Sequence, residues 1–89
     1  MMYNIEFEKR VIKDFKKLDV STKKYIMVWI RKNLDGITDP RLKGKALVGD
    51  KKGYWRYRIA DYRLITKIDD GKLKIIAIQL GHRKDIYNK

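Results

Sequence analysis

The stretch Tyr54-Trp55-Arg56-Tyr57-Arg58-Ile59 alternates bulky apolar residues with arginines, and that alternation constrains the fold more than any other feature of the chain. Side chains along a strand point to opposite faces in turn. A strand here therefore sends Trp55, Tyr57 and Ile59 to one side and Arg56 and Arg58 to the other. A short turn at Ala60-Asp61 returns the chain as a second strand through Tyr62-Arg63-Leu64, with Arg63 near the same basic face. Two readings of the arginines stand at this point. They either discourage pairing at a sheet edge, or form a rigid guanidinium platform for phosphate.

The flanking sequence supplies the remaining layers. Residues 3–7 alternate Tyr3, Ile5 and Phe7 with Asn4 and Glu6, the period of a short strand. From Glu8 the period changes, and Val11, Ile12, Phe15 and Leu18 share one helical face. Asp19 and Ser21 provide cap chemistry before a second helix over residues 22–34, whose buried stripe is Ile26, Trp29, Ile30 and Leu34. Gly36 is its expected stop. Met27 and Val28 fall beside that stripe, where a partner would cover them. Residues 37–53 form the longest irregular segment, a basic loop that Leu42, Leu47 and Val48 are expected to pin.

Beyond the arginine hairpin, Asp69-Asp70-Gly71-Lys72 is a turn signal, and residues 73–80 read almost continuously apolar, as a central strand would. Gly81 then releases the chain into His82-Arg83-Lys84-Asp85-Ile86-Tyr87. The order is strand, two helices, three strands (β-α-α-β-β-β). The expected architecture is α+β, one domain over residues 1–89, with the helical pair on one face of a mainly antiparallel sheet.

Composition narrows the chemistry. Twenty-three Lys and Arg against 11 Asp and Glu give a formal charge of +12, which favours a polyanionic partner, either nucleic acid or an acidic protein. The absence of cysteine removes disulfides and thiol nucleophiles, and one histidine is too few for a histidine metal cage. Neither a metal nor another cofactor is expected. No apolar stretch approaches the roughly 20 residues of a membrane span, so a soluble cytoplasmic protein is expected.

The helices can cover only one face of the sheet, and the ring-bearing side of the Trp55 strand suits them. The opposite face then carries Arg56, Arg58 and Arg63, with Lys67 beside them and Arg83 just past the central strand. Tyr87 reaches the same concavity if the tail turns helical. Several like charges held this close are unfavourable until an anion neutralises them.

The chain resembles RelE-type toxins of the RelE/ParE superfamily over nearly its whole length. The resemblance rests on the opening strand and helical pair, Lys43-Gly44-Lys45-Ala46-Leu47, Gly53-Tyr54-Trp55-Arg56-Tyr57-Arg58, Asp61-Tyr62-Arg63-Leu64, and Gly81-His82-Arg83-Lys84-Asp85-Ile86-Tyr87. It implies a toxin of a type II toxin–antitoxin system that cuts mRNA in the ribosomal A site. A RelB-type antitoxin would bind and block it in a hetero-oligomeric complex. Cleavage in that family proceeds by attack of the ribose 2′-hydroxyl on the adjacent phosphate. The family's basic positions carry over to Arg56, Arg58, Arg63 and Arg83, and its C-terminal tyrosine to Tyr87. Lys43, Lys45, Lys51, Lys52, Lys67 and Lys84 are the expected further RNA contacts, and Met27 and Val28 the expected antitoxin contacts.

Some family members carry lysines where this chain has Arg56 and Arg58. Arginine, with a pKa above about 12, does not accept a proton. His82 is then the natural general base and Tyr87 the second choice. Two other readings remain: a ParE-like poison of DNA gyrase, and a non-catalytic module that binds RNA or the ribosome.

Overall fold

In the computed structural model, which describes residues 1–49 and 53–84, two helices pack on one face of a five-stranded sheet. The chain runs β1 (Asn4–Phe7), α1 (Lys9–Lys16), α2 (Val20–Asn33), a 3-10 turn (Pro40–Leu42), β2 (Lys45–Ala46), β3 (Trp55–Ile59), β4 (Tyr62–Asp69) and β5 (Lys74–His82). The sheet order is β1-β5-β4-β3-β2. Only β1 and β5 pair in parallel; the other neighbours are antiparallel. The expected α+β architecture is therefore the observed one, with β2 as an added edge strand. Two residues of Lys-Ala carry no period of their own, so β2 is invisible to pattern reading.

Local chemistry places the helices. Asp19 caps α2: its carboxylate accepts from the Ser21 hydroxyl at 2.6 Å and the Thr22 amide at 3.3 Å. The Ser21 hydroxyl, then the Thr22 side chain and amide, push its pKa down to about 2. Val11 and Phe15 of α1 and Ile26, Ile30 and Leu34 of α2 and its end bury against Tyr57, Ile59, Leu64, Ile75, Ala77 and Leu80. Burial of each large side chain contributes about 1.5–3 kcal/mol, which outweighs the weak intrinsic helicity of segments this short. Ile12 departs from its expected place on the buried face of α1 and is 47% exposed. The α1 carboxylate Asp14 accepts from the Leu80 amide at 3.1 Å, tying that helix to β5.

Several further expectations need correction. Strand β5 continues through Gly81 to His82. Helical cover makes Ile75, Ala77 and Leu80 buried, while Ile76 and Ile78 on that strand are only half-buried. In the turn before β5 the left-handed residue is Leu73, at φ 54°, not the glycine. Leu42 and Val48 do not pin the long loop; they are 76% and 86% exposed. Polar contacts hold it. The buried Tyr57 hydroxyl donates to Pro40 O at 2.7 Å, and burial pushes that phenol's pKa up. Trp55 Nε1 donates to Lys43 O at 2.6 Å.

A third anchor joins the loop to the β4–β5 turn. Arg41 meets the Asp70 carboxylate with both terminal nitrogens at 3.0 Å, and the Tyr3 hydroxyl donates to the same carboxylate at 2.6 Å. The Arg41 guanidinium and then the Tyr3 hydroxyl lower the Asp70 pKa, while the bond to Asp70 raises that of Tyr3. A depressed carboxylate contributes stability above its unfolded pKa of about 3.9 and loses it as pH falls through the folded value. A raised phenol contributes below about 10 and loses it as pH climbs through its own folded value. Asp70→Asn is expected to melt below the parent at neutral pH, with the gap narrowing as the buffer is acidified through the lowered Asp70 pKa. Thermal melts across that range check it; a gap independent of pH contradicts the assignment.

Candidate nucleic-acid interface

Residues directly opposite in a sheet share a face, so the register shows where the cations go. Arg58 lies opposite Arg63, and Arg56 opposite Ile65. Tyr57 faces Leu64 on the helix-covered side. Arg56, Arg58 and Arg63 therefore occupy the sheet face away from the helices. They line one concavity of about 410 Å³ together with Lys43, Gly44, Lys45 and Trp29. Five of these seven residues are cationic, and none of the described lining residues is acidic.

Each cation is placed by a different constraint. Arg63 is 3% exposed, and its guanidinium donates to Tyr62 O at 3.1 Å, which turns it back along the β3–β4 hairpin. Arg58 is exposed directly across from it. Lys45 pairs with Arg56 across the β2–β3 ladder. Gly44 lets β2 dock: it sits at φ 81°, and a Cβ there would lie 2.3 Å from Arg56 O, 2.8 Å from Trp55 Nε1 and 3.0 Å from Tyr57 Cδ1. No side chain fits. The resulting concavity gathers five cationic side chains, a set suited to an anion with several oxygens.

The other expected site residues fall elsewhere. Lys67 is on the same open face but lines a second concavity of about 400 Å³ with Arg10, Tyr54 and Gln79 among others. Arg83 does not line the arginine concavity; its amide donates to Asp61 O at 2.8 Å, which brings its backbone beside the β3–β4 turn. Lys84 is exposed, and its amide donates to His82 Nδ1 at 3.3 Å. Lys51, Lys52 and Tyr87 lie outside the described residues. On α2, Met27 is half-buried against the core, whereas Val28 is 39% exposed.

His82 is separated from the arginines. It lies opposite Tyr62, on the helix-covered side, with ring centroids 5.5 Å apart and planes at 76°. It lines a different concavity, with Asp14, Lys17 and Leu18 of the first helix and the residues after it. The geometry thus keeps it apart from the arginine concavity. Two lining residues escaped the sequence reading, Trp29 and Gly44. Gly44 had a signal, a lone glycine between two lysines; Trp29 had none, being one of four residues on a helical stripe.

With this geometry in view, the model of the family "ParE toxin of type II toxin-antitoxin system" matches residues 5–87. The chain belongs to that family. It is a RelE-type toxin of the RelE/ParE superfamily, as the sequence resemblance implied. The mRNA interferase toxin RelE of Escherichia coli is 25% identical over 92 residues, an alignment covering 100% of this chain and 94% of the relative. The toxin–antitoxin complex RelBE2 of Mycobacterium tuberculosis superposes with a TM-score of 0.84 at 24% identity, covering 93% of this chain and 100% of that one. The archaeal RelE–RelB complex of Pyrococcus horikoshii gives 0.69 at 24% identity, over 93% of this toxin and 97% of the neighbour. The latter two likenesses are of fold. Among the described residues no helix is long and apolar enough to cross a membrane.

Proposed function

We propose that this toxin is a ribosome-dependent mRNA endoribonuclease that stops translation by cutting the message in the A site. The observation that carries the reading is the concavity in which Arg56, Arg58 and Arg63 meet Lys43 and Lys45. The reaction is attack of a ribose 2′-hydroxyl on the adjacent phosphate, forming a cyclic phosphate and releasing a 5′-hydroxyl. Negative charge accumulates on the equatorial oxygens of the phosphorane, and fixed guanidinium forks opposite one another stabilise it.

The described lining carries only guanidinium and ammonium side chains beside one indole, so its contribution is charge stabilisation and orientation. His82 stands on the other side of the sheet and is not the base in this reading. Arg83, anchored beside the β3–β4 turn, is taken to act from the rim on the phosphate backbone. Lys67, on the open face, and Lys84, beyond β5, are taken as backbone contacts. Tyr87 remains the candidate for proton transfer or base stacking.

The partner we propose is a RelB-type antitoxin in a hetero-oligomeric complex, which the RelE–RelB complexes among the solved relatives support. Ile12, Val20, Tyr25 and Val28 on the helical pair are each exposed and are candidate apolar contacts for it. Val28 is a better contact than Met27, which the core already half covers.

The test is induced expression followed by primer extension on a translated message and on the same RNA without its start codon. Cuts confined to the translated copy are expected. The family name raises the alternative of gyrase poisoning, and double-strand DNA breaks with intact messages would establish that activity instead.

A further inference from the structure

Trp29 is the single aromatic side chain among the described residues lining the cationic concavity. It comes from α2, in the helical layer, while the arginines come from the open face of the sheet. The two meet at the sheet edge, where β2 is only two residues long and pairs with no more of β3 than Trp55 and Arg56. The indole is held against Tyr57, with ring centroids 6.4 Å apart and planes at 55°. It is half-buried, so part of it remains accessible.

The chain's two indoles are used differently. Trp55 Nε1 is committed to Lys43 O. Among the described residues the Trp29 N–H has no acceptor, and it is not among the fully buried unpaired nitrogens, so it is not sealed in the core. A phosphate held by the arginines would be flanked on the strand by bases, which are flat, weakly hydrated on their faces and rich in acceptors at their edges. A ring wall next to a cationic floor matches that pairing, since single-stranded nucleic acids bind by combining backbone charge with base–aromatic stacking.

We propose that Trp29 is the stacking surface for one base of the RNA strand whose phosphate occupies the Arg56–Arg58–Arg63 concavity. This rests on the nucleic-acid reading of that concavity and adds a base subsite to it. Stacking tolerates any base and favours purines, which offer the larger face. Trp29 thus acts in positioning the strand, and it takes no part in the bond making itself.

The experiment uses the full chain and a short 2′-deoxy strand, which lacks the attacking hydroxyl and cannot be cut. A second set of strands carries a single abasic site at each position in turn, and inorganic pyrophosphate serves as the anion without a base. In a nitrogen-15-labelled sample the two indole N–H signals are separable. The Trp29 signal is expected to move with the intact strand, to stay with pyrophosphate, and to stay with one abasic strand. Trp29→Leu is expected to weaken the intact strand roughly tenfold while binding that abasic strand as the parent does; Trp29→Phe retains most of the affinity. The parent spectra need no variant, so a poorly folded Trp29→Leu does not spoil the test. A Trp29 signal that responds equally to pyrophosphate, or to every abasic strand, overturns the proposal. Arg58→Ala separates the two levels. If it leaves binding of both strands unchanged, the nucleic-acid reading fails; if it weakens both while Trp29 stays silent, only the stacking subsite fails.

Discussion

Arg58→Ala is expected to lower the rate of message cleavage on the order of a hundredfold or more, the usual loss when one preorganised charge-stabilising donor is removed. The same change is expected to leave the melting temperature unchanged or raise it. Arg58 is exposed and stands directly opposite Arg63 across the β3–β4 pair. Like charges so placed repel, and relieving them returns up to about 1 kcal/mol, least at high salt where exposed charges are screened. A structural arginine behaves the opposite way, losing stability and activity together. Arg58→Lys is the informative companion: it keeps the charge, loses the planar fork, and should fall between. Rates from primer extension and melts at low and high salt decide the matter. A drop in stability that matches the drop in activity would return Arg58 to the role of a structural residue.

Gly44→Ala is the second large effect, and it acts through backbone. The added methyl would stand 2.3 Å from Arg56 O, in a residue already at φ 81°. The carbonyl belongs to a strand held in the sheet, so it does not yield; the loop does. The left-handed conformation and the overpacking together cost on the order of 3 kcal/mol. Releasing β2 is cheaper than distorting β3, because β2 is held by only two residue pairs and a few anchors. The expected result is detachment of residues 43–46 with the helix-covered core intact: cleavage falls sharply while most of the far-ultraviolet signal and the main melting transition persist. Gly49→Ala is the control, since Gly49 has a similar φ of 70° but none of the described residues comes within 4 Å of its would-be Cβ. Its cost is backbone strain alone. Hydrogen exchange at β2 and β3 amides distinguishes the two. Equal effects at both glycines would mean that strain, and not the collision with β3, governs the loop.

Particular elements show why some of this was legible in advance. The β3–β4 hairpin was, because a period of two forces Arg56 and Arg58 to one face and a two-residue turn brings Arg63 across from them. The helical pair was, because Ile26 and Ile30 recur at helical spacing and Asp19 supplies a cap. The loop anchors were not. Leu42 and Val48 look like plugs by hydrophobicity, yet the loop is held by Tyr57, Trp55 and the Arg41–Asp70–Tyr3 contacts. Those partners lie many residues apart and carry no periodic signal. His82 misled for a related reason. Its chemistry suits a base, but one step along a strand reverses the face, and continuation of β5 through Gly81 put it beside Tyr62.

What the amino-acid order determined by itself is local: where strands and helices form, which side of each strand is apolar, and that three arginines share a face. Those outcomes follow from periods of two and 3.6 residues and from turn chemistry, all of which act over short stretches of chain. Tertiary structure alone decided what stands beside that face. Docking of β2 on β3 delivered Lys43 and Lys45, packing of α2 on Tyr57 delivered Trp29, and strand register withheld His82. Contacts between distant segments depend on packing and pairing of whole elements, and no short window of sequence contains them.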